Sequence, residues 1–324
     1  MRHGKGVKLM NFVRVYGIVA CLALIISEIL LFSGNEFIGK WFYAFAWWPY
    51  IFFVDWLVKR KTKRSLIFDR PKEFLALIPW SVFIWLVFEW FNFYLKNWHY
   101  VNIIPELWQR WFGYFICFGT VLPGIFITYE FILAYGLIKE AKAPDLKDAR
   151  LAYPWFILLG ILFLVLPVAY PRYFFPLVWG SFIFLLEPIN HALGAPSLLR
   201  EWEKGSFRKF YALLLAGLIC GFLWEFWNFW AISKWIYTVP FVGKIKLFEM
   251  PVLGFLGFPP FAVECYVMMN FINLFRDGKS WEYDASKPAI SFQVPAFVFV
   301  ILHLAFYVFM FHQIDLHTVK SFLP

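Results

Sequence analysis

Charge is what this chain has least of. Only 16% of its 324 residues are Asp, Glu, Lys or Arg, against about a quarter in soluble domains, which excludes an ordinary water-soluble fold. Cysteine is scarce as well. Cys21, Cys117, Cys220 and Cys265 each stand alone in an apolar segment. With no CxxC or CxxCH, the zinc, iron–sulfur and c-type haem signatures are absent, and the four thiols read as small packing residues. No HExxH, P-loop or GxSxG occurs, so a zinc protease, a nucleotide-driven pump and a serine hydrolase lack support. The six histidines (His3, His99, His191, His303, His312, His317) are scattered without a pair at matching depth, which removes a bis-histidine haem. No cofactor and no metal are expected. The formal charge of +9 sits in alternate loops and forms no basic stripe interleaved with exposed aromatics, so nucleic acid is not an expected partner.

Apolar residues are abundant: 62% hydrophobic and 24% aromatic. A hydrocarbon core takes about 20 apolar residues of helix, and that measure predicts nine spans. They run over 12–33, 42–58, 74–95, 111–138, 152–170, 174–191, 208–232, 250–275 and 289–312. Lys and Arg concentrate at the amino terminus (Arg2, Lys5, Lys8, Arg14), in the run Lys59-Arg60-Lys61-Thr62-Lys63-Arg64, and in every second loop thereafter. The positive-inside rule then predicts a multi-pass protein of the cytoplasmic (inner) membrane, with a cytoplasmic amino terminus and an outer carboxyl terminus. The basic start leads into a long apolar run without a small-residue cleavage site, as expected of an uncleaved signal-anchor helix.

Two stretches are variants of one another. Phe88-Glu89-Trp90-Phe91-Asn92-Phe93-Tyr94, with Trp98 and Tyr100 beyond, recurs as Trp224-Glu225-Phe226-Trp227-Asn228-Phe229-Trp230, with Trp235 and Tyr237 beyond. Lys40, Trp47, Asp55, Ser65 and Leu66 match Arg172, Trp179, Glu187, Ser197 and Leu198 at one constant spacing. Gly119 through Glu130 matches Gly254 through Glu264 more loosely. The fold expected is an all-α membrane protein of about nine transmembrane helices. It comprises two parallel tandem four-helix repeats, residues 1–150 and 151–288, and a ninth helix in 289–324.

An acid inside hydrocarbon is costly and marks a functional candidate. Gly217, Gly221, Glu225 and Asn228 share one helical face, as do Ser81, Trp85, Glu89 and Asn92. The small residues Gly217 and Gly221 let another helix approach, which turns the acid and the amide toward protein. Glu89 falls about 9 Å below the outer end of its span, and Trp98, Tyr100, Trp235 and Tyr237 fall at the outer interface, where rings also serve as anchors. Past the seventh span, the Pro/Gly-rich 251–260 breaks the eighth near its start, where Glu249 is favoured by the helix dipole. Glu264 and Glu130 lie deeper. Asp55 and Glu187, near the cytoplasmic ends, are expected to pair with basic residues such as Arg200. A Glu–Asn bond that merely pins two halves together is the plain structural alternative.

The order of a carboxylate, Trp-x-Tyr, Pro and a second acid beside Pro, over Glu225–Glu264 and more weakly Glu89–Glu106, resembles the integral-membrane lycopene cyclases and related carotenoid hydratases. The resemblance implies acid-initiated isoprenoid chemistry without a redox cofactor. Glu225 or Glu89 would protonate a double bond, Glu264 or Glu249 would take the proton up, and Trp227, Trp235 and Tyr237 would stabilise a cation. Asn92, Asn228, Trp98, Tyr100 and Glu130 complete the candidate substrate-binding set. The partner expected is a membrane lipid or apolar small molecule. A proton- or cation-coupled carrier using the same glutamates, and a membrane protein without turnover, are the other two readings.

Overall fold

The computed structural model describes residues 2–143 and 146–320, with side chains from residue 15 onward. The basic residues Arg2, Lys5, Lys8 and Arg14 therefore lie outside the described side chains. Helix dominates. In chain order the helices are α1 (Arg2–Phe32), α2 (Glu36–Thr62), α3 (Leu66–Asp69), α4 (Pro71–Leu95), α5 (Leu107–Phe118), α6 (Val121–Ala134) and α7 (Tyr153–Ala169). They continue with α8 (Pro171–Phe174), α9 (Ser181–Ala192), α10 (Leu198–Glu203), α11 (Arg208–Trp230), α12 (Phe258–Leu274) and α13 (Ala296–His317). Four short strands occur among the described residues: β1 (Trp98–Val101), β2 (Lys234–Tyr237), β3 (Lys246–Leu247) and β4 (Met250–Pro251).

Eight segments are long and apolar enough to cross a membrane among the described residues, which makes this a multi-pass membrane protein. The expected span over 42–58 is not one of them. It lies inside the 27-residue α2, where Trp47, Trp48, Pro49, Tyr50 and Asp55 lower the hydropathy. The reason is packing. Phe42, Ala46, Trp47 and Ile51 are essentially wholly buried, so α2 sits against protein and has little need of a lipid-compatible surface. The last helix also departs from expectation. It starts at Ala296 and not near 289, because Pro295 caps it while the preceding residues run extended, with Ile290 N–H on Leu193 O and Gln293 bridged to Arg276.

The expected fourth span, 111–138, is two helices broken at Gly119–Thr120. Ser81 of α4 bridges the break: its hydroxyl donates to Phe118 O at 2.6 Å and accepts from Leu122 N–H at 3.0 Å. Backbone groups freed in a membrane helix must find such partners. The eighth span breaks as Pro and Gly predict, entering by a 3-10 turn over Val252–Gly257 before α12.

α1 packs on α2 and α7 on α9; α6 packs on α2, α4 and α11, and α12 packs on α9 and α11. Ser65 donates to Asp55 and caps α3, while Ser197 donates to Glu187 and caps α10. These acids hold helix starts: Leu66 N–H on Asp55 at 2.8 Å and Leu199 N–H on Glu187 at 2.9 Å. The expected pairing with basic residues is not what occurs, since Arg200 donates to the carbonyls of His191 and Ala195. An N-terminal helix turn offers a carboxylate free N–H groups and the positive end of the helix dipole without the side-chain entropy of holding a flexible cation.

Candidate functional site

α4 and α11 each end in an amide that folds the chain back. The Asn92 carboxamide accepts from Asn97 and Trp98 N–H and donates to Trp98 O at 2.9 Å. Asn228 accepts from Trp235 N–H and donates to Trp235 O, both at 2.9 Å. Each amide thus holds the first turn of a returning strand. Both amides are engaged by backbone and act as positioning groups.

The two returning strands pair with each other. β1 and β2 are antiparallel, with Trp98 opposite Tyr237 and Tyr100 opposite Trp235. Alternate residues of a strand share a face, so all four rings project from one side of the ribbon. There they meet the glutamates. Glu89 Oε1 accepts from Trp85 Nε1 and Trp98 Nε1, both at 3.0 Å, and from the Tyr100 hydroxyl at 2.5 Å. Glu225 Oε1 accepts from the Tyr237 hydroxyl at 2.8 Å, and Trp235 Nε1 donates to that same hydroxyl at 2.9 Å. Both carboxyl groups are wholly buried, and the second oxygen of each, Oε2, has no hydrogen-bond partner among the described residues. Unsatisfied buried acceptors are rare in folded proteins and call for a reason.

In front of the ribbon face lies a cavity of about 180 Å³. Trp98, Tyr100, Trp235 and Tyr237 line it, and Trp85, Trp179, Trp224, Phe118 and Phe261 extend the aromatic wall. Trp179 stacks on Phe88 at 5.3 Å and on Trp98 at 6.3 Å. Lys40, Arg110 and Lys234 also line the cavity. One turn deeper along α2 than the lining residue Tyr43, the wholly buried Trp47 packs on Trp224 at 5.3 Å and Trp227 at 5.1 Å, which closes the floor.

The candidate residues therefore separate. Glu89 and Glu225 do not touch the cavity; Tyr100 and Tyr237 stand between them and it. Glu264 lies elsewhere and caps a helix: it accepts from Phe182 N–H at 2.7 Å and Ser181 Oγ at 3.2 Å, at the start of α9. Glu249 pairs with Lys234 at 2.9 Å. Glu130 pairs with Arg70 at 2.6 Å, on the side of α6 away from the cavity, where Arg70 also donates to Trp281 O. Trp227 turns its Nε1 to Glu28 at 3.2 Å and does not line the cavity. Sequence reasoning did not select the Arg110–Asp315 pair, which ties α5 to α13 at 2.8 Å with Trp111 and Tyr114 also donating to Asp315. The one available signal was an arginine and an aspartate inside otherwise apolar helices. Among the described residues no group of three or more His, Cys, Asp or Glu is placed to hold a metal ion.

No family model, curated protein or solved structure matches this chain.

Proposed function

We propose that the chain is an intramembrane enzyme that moves protons on an apolar lipid or isoprenoid, by cyclisation, hydration or isomerisation. A single observation carries this reading. Two buried glutamates are each hydrogen-bonded to a tyrosine hydroxyl that lines one shared aromatic cavity. A carboxylic acid relays its proton through such a hydroxyl to a substrate carbon, and a carboxylate receives one by the same route. Glu225, with fewer donors, is the proton source; Glu89, with three, is the acceptor whose negative charge is best supported. A double bond takes up a proton on one side, the cation rests against ring faces, and loss of a proton on the other side regenerates a double bond. The substrate gains one proton and loses one, no oxidant is consumed, and before the next turnover Glu89 gives its proton to water and Glu225 takes one from water.

The chain is read as two parallel repeats about an axis along the membrane normal, with the amino terminus cytoplasmic and the carboxyl terminus outside. Reciprocal contacts support it: Trp47 meets Trp224, and its counterpart Trp179 meets Phe88, the counterpart of Trp224. That is the pattern of a self-complementary interface. Antiparallel pairing of β1 with β2 agrees with it.

A proton- or cation-coupled carrier would use the same two glutamates. Trp47 below the cavity and the wholly buried Trp281, stacked on Phe126 at 4.0 Å, put bulky rings in the core beyond it, which favours turnover over passage. The test is Glu89→Gln and Glu225→Gln, each expressed in cells otherwise lacking the gene, with the apolar lipid fraction profiled. Loss of a lipid species relative to wild type, with normal membrane insertion, supports the enzyme. Unchanged lipids with carboxylate-dependent proton flux in vesicles support the carrier. Wild-type behaviour in both assays for the double variant leaves a structural role alone.

A further inference from the structure

The cavity wall is unevenly charged. Lys40, Arg110 and Lys234 line it, whereas no carboxylate does; Glu36, Asp315 and Glu249, their partners, stand outside the lining. Arg110 is committed, with both Asp315 oxygens and the carbonyls of Ile104 and Pro105 on its guanidinium. The two lysines are not. An ammonium has three donors. Lys234 spends them on Phe229 O at 3.2 Å and Glu249 at 2.9 Å, leaving one. Among the described residues Lys40 has Glu36 at 3.4 Å, leaving two. The Lys40–Glu36 pair is half exposed on the lysine side and 81% exposed on the glutamate side, a class of ion pair that contributes little and is easily displaced.

The two ammonium groups belong to neighbouring backbone. Ile232 N–H donates to Gly39 O at 2.9 Å, which docks the start of α2 on the loop entering β2 and sets Lys40 and Lys234 on either side of that junction. Lys40 lines a second hollow next to the cavity as well, so it stands at the opening while Tyr43 and Trp47 follow below it on α2.

Resting on the reading above, we propose that the substrate is an amphiphile with a phosphate monoester head. The head sits between Lys40 and Lys234, and the first one or two isoprene-sized units of the tail fill the aromatic cavity. The volume decides the tail. About 180 Å³ is only modestly larger than a benzene-binding cavity of roughly 150 Å³, so the cavity takes the head-proximal end of a chain and not a whole long polyene. Tyr100 and Tyr237 then face the double bonds nearest the head.

The experiment uses the full chain in detergent or nanodiscs, with tryptophan emission as the signal, since six tryptophans line the cavity. Probes are farnesyl phosphate, farnesol and dioleoyl phosphatidic acid. Farnesyl phosphate is expected to bind at least about tenfold more tightly than farnesol, and Lys40→Gln with Lys234→Gln is expected to erase that difference while farnesol binding stays. Phosphatidic acid shares the head but not the tail. Tighter farnesyl phosphate binding supports the prenyl tail, and tighter phosphatidic acid binding overturns it. Equal affinity for farnesol and farnesyl phosphate, or a preference that survives the double lysine substitution, overturns the head assignment. These binding readouts are independent of the lipid profiles of the glutamate variants, so failure of the head site and failure of the acid chemistry are told apart.

Discussion

Replacing Tyr237 with Phe tests the proton relay most directly, because the donor count at its glutamate is smallest. The Tyr237 hydroxyl is the hydrogen-bond donor found on Glu225 and also the acceptor for Trp235 Nε1. Its removal strands the buried Glu225 carboxyl and the half-buried Trp235 Nε1 at once. A stranded buried group costs about 1–3 kcal/mol and the half-buried one about 1 kcal/mol, so the Tyr237→Phe protein should lose roughly 2–4 kcal/mol of stability by that principle. Tyr100→Phe takes one of three donors from Glu89 and leaves Trp85 and Trp98 in place, so about 1–2 kcal/mol is expected. Activity should fall about 10²- to 10⁴-fold in both, the usual contribution of positioned acid–base groups. Thermal unfolding in detergent measures the first effect, and the rate of change in the apolar lipid fraction measures the second. Full turnover in Tyr237→Phe, together with the expected stability loss, would falsify the relay and leave a structural bond. A greater stability loss in Tyr100→Phe than in Tyr237→Phe would refute the donor accounting.

Three further outcomes follow from the packing. Asn92→Ala removes three strand-holding bonds and Asn228→Ala two. At about 1 kcal/mol each the first variant should be the less stable in a denaturation series, and the reverse order would count against the amides' role. Gly217→Ala places a methyl 2.3 Å from Phe258 O, whereas at Gly113 the nearest atom is a Trp41 ring carbon at 3.6 Å. Gly217→Ala should therefore cost about 1–3 kcal/mol and Gly113→Ala almost nothing, as read from paired melting curves. His99, in β1, is held below the ordinary histidine range by burial first, then by Lys320 and Lys246. A lowered folded value means the unfolded chain takes the proton first. The contribution of His99 is thus fully present above about pH 6.5 and is lost as pH falls through the depressed value. The slope of stability against pH below that point should flatten in His99→Gln.

Residue cost made part of this legible beforehand. A glutamate in hydrocarbon has few innocent explanations, so Glu89 and Glu225 stood out, and their helices lie close to where the apolar runs placed them. The β1–β2 ribbon was invisible. Its strands are four residues each, far apart in the chain, and their Trp and Tyr content reads equally well as an interfacial belt. Without that ribbon the tyrosines could not be set between the acids and a cavity. Asn92 and Asn228 suggested a ligand because their bonds to their own returning chain depend on the turn after the helix. Glu264 looked catalytic because its partners, Ser181 and Phe182, begin a helix remote in sequence. α2 failed the hydropathy measure for a physical reason: a helix buried by its neighbours is free to carry Trp, Tyr, Pro and Asp.

The unequal donor counts at the two glutamates trace to one matched pair of positions. Trp85 lies one turn before Glu89, and Gly221 lies one turn before Glu225. Trp85 supplies Glu89 with a second N–H and so a third donor. Gly221 supplies none, and a Cβ there would sit 2.3 Å from the Phe258 ring, so the space a second tryptophan needs is already filled by α12. Close approach of α11 to α12 and a donor-poor Glu225 are thus the same structural fact. In the first half the corresponding gap is wider: Ser81 bridges the α5–α6 break where Gly217 meets the Phe258 carbonyl directly. Two acids that began alike on the repeat reading are in this way held in different surroundings. If the proposed acid chemistry holds, a cavity with a donor-poor acid on one side and a donor-rich one on the other sets a direction for the proton, from Glu225 through Tyr237 to substrate and from substrate through Tyr100 to Glu89.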